Sequence, residues 1–210
     1  MDSNRVGIQI RRERPEDYRE TEELVREAFW NVYHPGCTEH YLLHCFRTKE
    51  EFIPELDLVM EKDGRIIGQI MYVHSMILKE DGSELPVMTF GPLSIHPEYA
   101  RKGYGKKLLD CSMDAARKLG AGALVITGNI EFYGKSGFVT GKSVGIRYAE
   151  DPDADYLLVK ELKKDYLRDV RGTFTDPPGY LEAVRDPEAF ERYDRTFPKK
   201  EKKKLPGQLE

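Results

Sequence analysis

The sequence predicts a mixed α/β (α+β) fold, a mostly antiparallel sheet flanked by helices. Three observations carry this expectation. Asp63-Gly64 and Asp81-Gly82 each separate alternating apolar runs, the strongest short-range hairpin signal. Residues 103–119 place Leu108, Leu109, Ala115, Ala116 and Leu119 on one helical face, with Lys106, Lys107, Asp110, Asp114, Arg117 and Lys118 opposite. Ala123-Leu124-Val125-Ile126 is wholly apolar, as in a strand buried on both faces.

The elements follow in order. Val6 to Ile10 alternates and reads as a first strand. Pro15 among acidic residues suits a helix start, and Glu16 to Trp30 carries Leu24, Val25, Ala28 and Phe29 at helical spacing. Pro35-Gly36 breaks that helix, and Thr38 is positioned to cap a second one through Arg47. Leu56–Met60, Arg65–Leu78 and Leu85–His96 form a three-strand meander around the two Asp-Gly turns. Gly91-Pro92 in the third strand predicts a bulge or a lost neighbour, because proline donates nothing to a ladder. After the 103–119 helix and the buried strand come a short helix over 130–135 and a last strand over 156–159. The domain is expected to span residues 1–160. Residues 161–210 form an extension with a Pro177-Pro178-Gly179 loop, one short helix over 187–195 and a basic run, 199–204, expected to fray.

Composition excludes several classes. The 210 residues suit one domain, or one with an extension. Lys plus Arg is 33 and Asp plus Glu is 37, a net charge of −4, so the basic footprint of a nucleic-acid binder is missing. No apolar run approaches the ~18 residues of a membrane span. The N-terminus lacks the apolar core of a secretory signal. Cys37, Cys45 and Cys111 are too few and odd in number for a disulfide framework, which fits a reducing cytoplasm. A homodimer is compatible with the sequence.

The chemistry-bearing stretch runs from Leu93 to Leu109, LSIHPEYARKGYGKKLL. A strand ends, a glycine-rich basic turn follows, and an amphipathic helix begins. Gly103 and Gly105 let backbone approach a bulky anion and aim N–H groups at it. The helix N-terminus adds about half a positive charge. Arg101, Lys102, Lys106 and Lys107 add full charges. Together they describe a phosphate or pyrophosphate cradle. A Walker loop is absent, and Leu108 replaces the third glycine of a dinucleotide fingerprint.

This segment resembles the pyrophosphate-binding motif of the GCN5-related N-acetyltransferase (GNAT) superfamily, Gln/Arg-x-x-Gly-x-Gly/Ala. Asn129-Ile130-Glu131-Phe132-Tyr133-Gly134-Lys135-Ser136-Gly137-Phe138 resembles a second signature of that family, Asn-x-x-x-Phe-Tyr-x-x-x-Gly-Phe. The resemblance covers about residues 5 to 160. One departure is that the motif's first position falls on Ala100, with Arg101 next to it. The resemblance implies the acyl-CoA N-acyltransferase fold, with splayed central strands, and transfer of acetyl from acetyl-CoA to an amine of a small molecule or peptide. It implies donor contacts from Leu93, Ser94, Ile95, Arg101, Lys102, Gly103, Tyr104, Gly105, Lys106, Asn129 and Tyr133. Ile95 N–H would stabilise the oxyanion, and Tyr133 would protonate the departing thiolate.

Two weaker signals remain. His34 to Cys45 is dense in potential metal ligands, with His40 and His44 at i, i+4, but no second ligand pair supports zinc, and no metal is expected. In the resembling family this segment flanks the acceptor, which makes Glu39 and His40 the candidate acceptor contacts. The rival readings are an acyl-CoA-binding sensor without turnover, and a metal-binding or protein-interaction module built on this segment and the tail.

Overall fold

The computed structural model describes residues 7–208. Its strands are β1 (Ile8–Arg12), β2 (Leu58–Lys62), β3 (Arg65–Lys79), β4 (Glu84–Ile95), β5 (Ala123–Thr127), β6 (Val139–Thr140), β7 (Ile146–Tyr148), β8 (Leu157–Glu161) and β9 (Gly172–Phe174). Its helices are α1 (Tyr18–Phe29), α2 (Glu39–Phe46), α3 (Tyr104–Lys118), α4 (Ile130–Tyr133), α5 (Glu182–Arg185) and α6 (Pro187–Asp194). Hydrogen-bonded neighbours follow the order β1-β2-β3-β4-β5-β8-β6, with β9 on β3 and β7. The predicted first strand is present from Ile8; Val6 lies outside the described residues.

Two compact units divide the chain, the first built from Met1–Met71, Pro92–Leu109 and Pro178–Glu210. In it β1 and β2 pair antiparallel, as do β2 and β3. Asp63 (φ 52°) and Gly64 (φ 80°) both take the left-handed conformation, as a two-residue hairpin turn requires. Pro15 opens a single 3-10 turn, and α1 proper starts at Tyr18. Leu24, Val25, Leu43, Phe46, Leu56, Val59, Met60, Ile67, Ile70, Leu108 and Leu109 are buried in this unit. Thr38 holds the cap position of α2, but its side chain makes no capping bond; Glu39 Oε2 accepts the Thr38 N–H at 2.9 Å instead.

A charged cluster is buried beside this apolar core. Arg47 donates to both oxygens of Glu13 (3.1 and 2.9 Å) and to Glu22 (2.5 Å), and its Nε lies 4.0 Å from Asp57. Three carboxyl groups therefore surround one guanidinium. Burial and the adjoining Glu13 push the Asp57 carboxyl far above its ordinary value, so it holds a proton at neutral pH. Gln69 Nε2 donates to Asp57 Oδ1 at 3.1 Å.

The second unit comprises Tyr72–Gly91 and Asp110–Pro177. Ile77, Val87, Ala123, Val125, Ile146, Leu157, Val159 and Phe174 form its core. Residues 123–126 are at most 2% exposed, as their unbroken apolar run predicts. β5 pairs antiparallel with β8 along its whole length, whereas its parallel register with β4 is a single pair, Met88–Leu124. The strand expected over 156–159 is β8, and it is not the last. Gly172–Phe174 adds antiparallel to β3 and parallel to β7. Strands of two or three residues leave no alternation to read, which is why β6, β7 and β9 have no sequence signal.

Candidate functional site

The glycine turn grows directly out of β4. Gly91 adopts φ 144°, a conformation suited to glycine, inside a strand that continues through Pro92 to Ile95. His96 N donates to Ile67 O at 2.9 Å and closes the strand. A 3-10 turn, Pro97–Tyr99, then redirects the chain. Arg65 braces it, reaching Glu98 Oε2 (3.0 Å) and His96 Nε2 (2.9 Å). Lys102 Nζ donates to Glu98 O at 2.8 Å.

Arg101 (φ 60°) and Gly103 (φ 85°) both take the left-handed conformation, and α3 begins immediately after. Gly103 O accepts the Lys107 N–H at 3.1 Å, the first helical bond. Helix geometry turns the first-turn N–H groups toward this loop, so the loop and the helix end present donors on the same side. A Cβ at Gly103 would meet nothing within 4 Å, so its backbone is open to approach. Arg101 and Lys102 are exposed beside it, and Tyr104 and Gly105 are half-buried at the head of α3.

Upstream, Ser94 is buried, and its hydroxyl has no hydrogen-bond partner among the described residues. Gly68 is a contributor the sequence reading missed. A Cβ there would lie 2.6 Å from Ile95 Cδ1 and 3.1 Å from Ser94 O, so any side chain would displace the end of Ile95 and crowd the Ser94 carbonyl. A glycine inside a strand is the one available signal.

In the second unit, Asn129 caps α4, its side chain accepting the Glu131 N–H at 2.7 Å. Tyr133 ends α4 with its ring among Phe132, Phe138 and Phe90, centroids 4.8, 5.6 and 5.8 Å away. Gly128 makes room for that ring, since a Cβ would lie 2.5 Å from Tyr133 Cε2.

The His34–Cys45 segment requires a correction. His40 is fully buried, with Phe190, Tyr193 and Phe197 around its ring. It presents no surface to an acceptor, because α6 covers the α2 face that carries it. Its Nε2 lies 3.0 Å from Asp194 Oδ1, while His44 Nδ1 lies 3.1 Å from Glu22 Oε1. The two imidazoles thus serve different carboxylates. No group of three or more His, Cys, Asp or Glu suited to a metal ion occurs among the described residues. Glu39 is only partly covered, and burial raises its carboxyl above the ordinary range.

The tail also departs from expectation. Trp30 Nε1 and Asn31 Nδ2 donate to Glu201 O at 2.9 and 3.0 Å, and Lys203 N donates to Asn31 Oδ1 at 3.0 Å. Asn31 (φ 59°) turns the chain after α1 so that both its backbone and its amide receive the tail. Charge density alone predicts fraying; backbone hydrogen bonds order the segment instead. Among the described residues no helix is long and apolar enough to cross a membrane.

Comparison with known proteins agrees with this geometry. The family model described as the acetyltransferase (GNAT) family matches residues 19–138. A curated relative, the uncharacterized N-acetyltransferase YjhQ of Escherichia coli K12, is 27% identical over 85 residues, 40% of this chain; the match spans 46% of that protein. The crystal structure of the GNAT family N-acetyltransferase YhbS from Escherichia coli in complex with CoA superposes with a TM-score of 0.72, at 23% identity, over 87% of this chain and 96% of that one. A GNAT family acetyltransferase from Brucella melitensis, solved with acetyl-CoA, gives 0.66 at 24% identity, over 83% and 99%. With more than half of its length matched by the family model, and with that fold, this chain belongs to the GNAT acetyltransferase family.

Proposed function

We propose that the protein transfers the acetyl group of acetyl-CoA to a primary amine of a small molecule or peptide by direct attack in a ternary complex. The observation that carries the reading is the loop at Gly103: left-handed backbone, open space where a Cβ would sit, exposed Arg101 and Lys102, and a helix N-terminus directly behind. A pyrophosphate fits those groups. The orphaned Ser94 hydroxyl fits a polar ligand passing along the end of β4. The relatives solved with CoA and acetyl-CoA support the same donor.

Bound acetyl-CoA supplies an electrophilic thioester carbonyl and a thiolate leaving group. In this reading Arg101, Lys102, Gly103, Tyr104, Gly105 and Lys106 hold the pyrophosphate. The backbone of Leu93, Ser94 and Ile95 pairs with the pantetheine arm, and Ile95 N–H donates to the developing oxyanion. Asn129 and Tyr133 contact the donor's thiol end; as the C–S bond breaks, Tyr133 O–H gives the proton that the thiolate takes, and a base takes the proton that the attacking amine loses. Glu39 contacts the cationic or polar acceptor. Residues 1–160 act as the acyltransferase, residues 161–210 extend it, and the site of action is the cytoplasm.

The test is thiol release from acetyl-CoA across an amine library. Acceptor-dependent release is expected. CoA binding with no release on any amine would replace this reading with that of an acyl-CoA sensor.

A further inference from the structure

The tail hydrogen-bonds to the end of α1 through its backbone, and this leaves lysine side chains for other work. Beside Trp30 lies a cavity of about 380 Å3 lined by Arg26, Trp30, Arg195, Lys199, Lys200 and Lys202, with Asp194 and Phe197 completing the wall. Three of the five cations are neutralised nearby: Arg26 by Asp194 (2.8 Å), Lys200 by Glu27 (2.6 Å) and Arg195 by Glu191 (3.0 Å). Lys199 and Lys202 have no ion pair among the described residues. A chain of net charge −4 thus keeps two uncompensated ammonium groups at one cavity.

The aromatic wall is fixed as firmly as the charge. The Trp30 indole is pinned through Nε1 to Glu201 O (2.9 Å), and the Arg26 guanidinium lies 4.2 Å from its centroid. Arg26 is 4% exposed and is held again by Pro198 O (3.0 Å). The indole, with Arg26 and Lys200 (Nζ 5.4 Å from its centroid) on its ring and two free lysines beside it, suits a planar base carrying a phosphate. The volume falls within the range of small-ligand pockets. None of the lining residues belongs to the Gly103 loop, so this site does not depend on the acyl-donor reading.

We propose that the cleft between the end of α1 and the C-terminal tail binds a small nucleotide-class ligand, its phosphate on Lys199 and Lys202 and its base against Trp30.

Trp30 is the sole tryptophan of the chain, so its emission reports on this site. The full chain is titrated with AMP, adenosine and inorganic phosphate at constant ionic strength. AMP should change the emission saturably, and adenosine or phosphate alone should bind at least about tenfold more weakly, a loss of one charge-assisted or stacking contact. Lys199→Met with Lys202→Met keeps the apolar stems, removes the charges and should weaken AMP by at least about tenfold. Each single substitution should weaken it less. Gly103→Val should leave the AMP response unchanged. The proposal is overturned by absence of a saturable AMP response, by phosphate binding as tightly as AMP, by an unaltered response in the double Met variant, or by loss of the response in Gly103→Val.

Discussion

His40 Nε2 lies 3.0 Å from Asp194 Oδ1 and joins α2 to α6 across 154 residues of sequence. Asp194 also receives Arg26 Nε at 2.8 Å, so one carboxylate ties together α1, α2 and α6. The other face of the imidazole, Nδ1, meets the Cys37 thiol at 3.5 Å. Burial raises that thiol's pKa and keeps it protonated, and its S–H has Arg26 O as an acceptor at 3.7 Å. Asp194, held ionised by Arg26, can only accept, so Nε2 carries the ring proton.

This arrangement sets a pH dependence. Burial outweighs the pull of Asp194 and lowers the His40 pKa from 6.5 to about 4. The unfolded chain therefore binds the His40 proton first as pH falls, and stability is lost from about 6.5 down to 4. Full loss amounts to about 3 kcal/mol at roughly 1.4 kcal/mol per pKa unit. His40→Gln should be less stable at pH 7, and its deficit against the native chain should narrow between pH 6.5 and 4. Urea unfolding at several pH values measures the gap; a gap constant with pH would remove the buried neutral imidazole from the explanation.

Asp57 has the opposite sign. Its folded-state pKa is raised, so the native state holds a proton the unfolded state releases, and stability falls as pH rises above the ordinary carboxylate value. Asp57→Asn mimics the protonated form, with Oδ1 still accepting from Gln69 and the amide facing Glu13. The variant should be more stable by at least about 1 kcal/mol at neutral pH, since holding that proton costs about 1.4 kcal/mol per unit. The advantage should grow towards alkaline pH. A variant less stable than the native chain at pH 8 would show that Asp57 is ionised.

Gly103→Val should fold, because the added side chain meets open space, at a cost of about 1–2 kcal/mol for a left-handed valine. CoA affinity should fall by at least about tenfold as the open backbone is covered. Calorimetric titration with CoA reads this, and native affinity in the folded variant would remove the loop from the donor site.

Tyr133→Phe keeps the ring that packs on Phe132, Phe138 and Phe90, so the variant should fold. Loss of the phenolic proton should lower kcat by at least about tenfold, the low end for general acid catalysis, with CoA affinity within a few-fold. Turnover at the native rate with chemistry rate-limiting would exclude Tyr133 as the acid.

Glu39→Gln tests the acceptor side. It should raise the acceptor KM and leave CoA affinity unchanged, because it removes the charge facing a cation and nothing near Gly103. Equal loss on both substrates would return Glu39 to its bond with Thr38 N–H.

The sequence alone determined what depends on neighbours along the chain. The Asp-Gly hairpins, the apolar strand at 123–126 and the turn that positions Gly103 before α3 all follow from local periodicity and backbone preference. The tertiary structure decided what depends on distant partners. His40 is a buried linchpin because α6 covers it, and the tail is ordered because Asn31 and Trp30 face its backbone. Glu13 and Glu22 can be interior because Arg47 reaches both, and Asp57 because it is held protonated and bonded to Gln69. A charged residue's pattern in sequence carries no record of the partner that neutralises it. Burying a charge is tolerable only where that partner is present, and the partner is brought there by the fold.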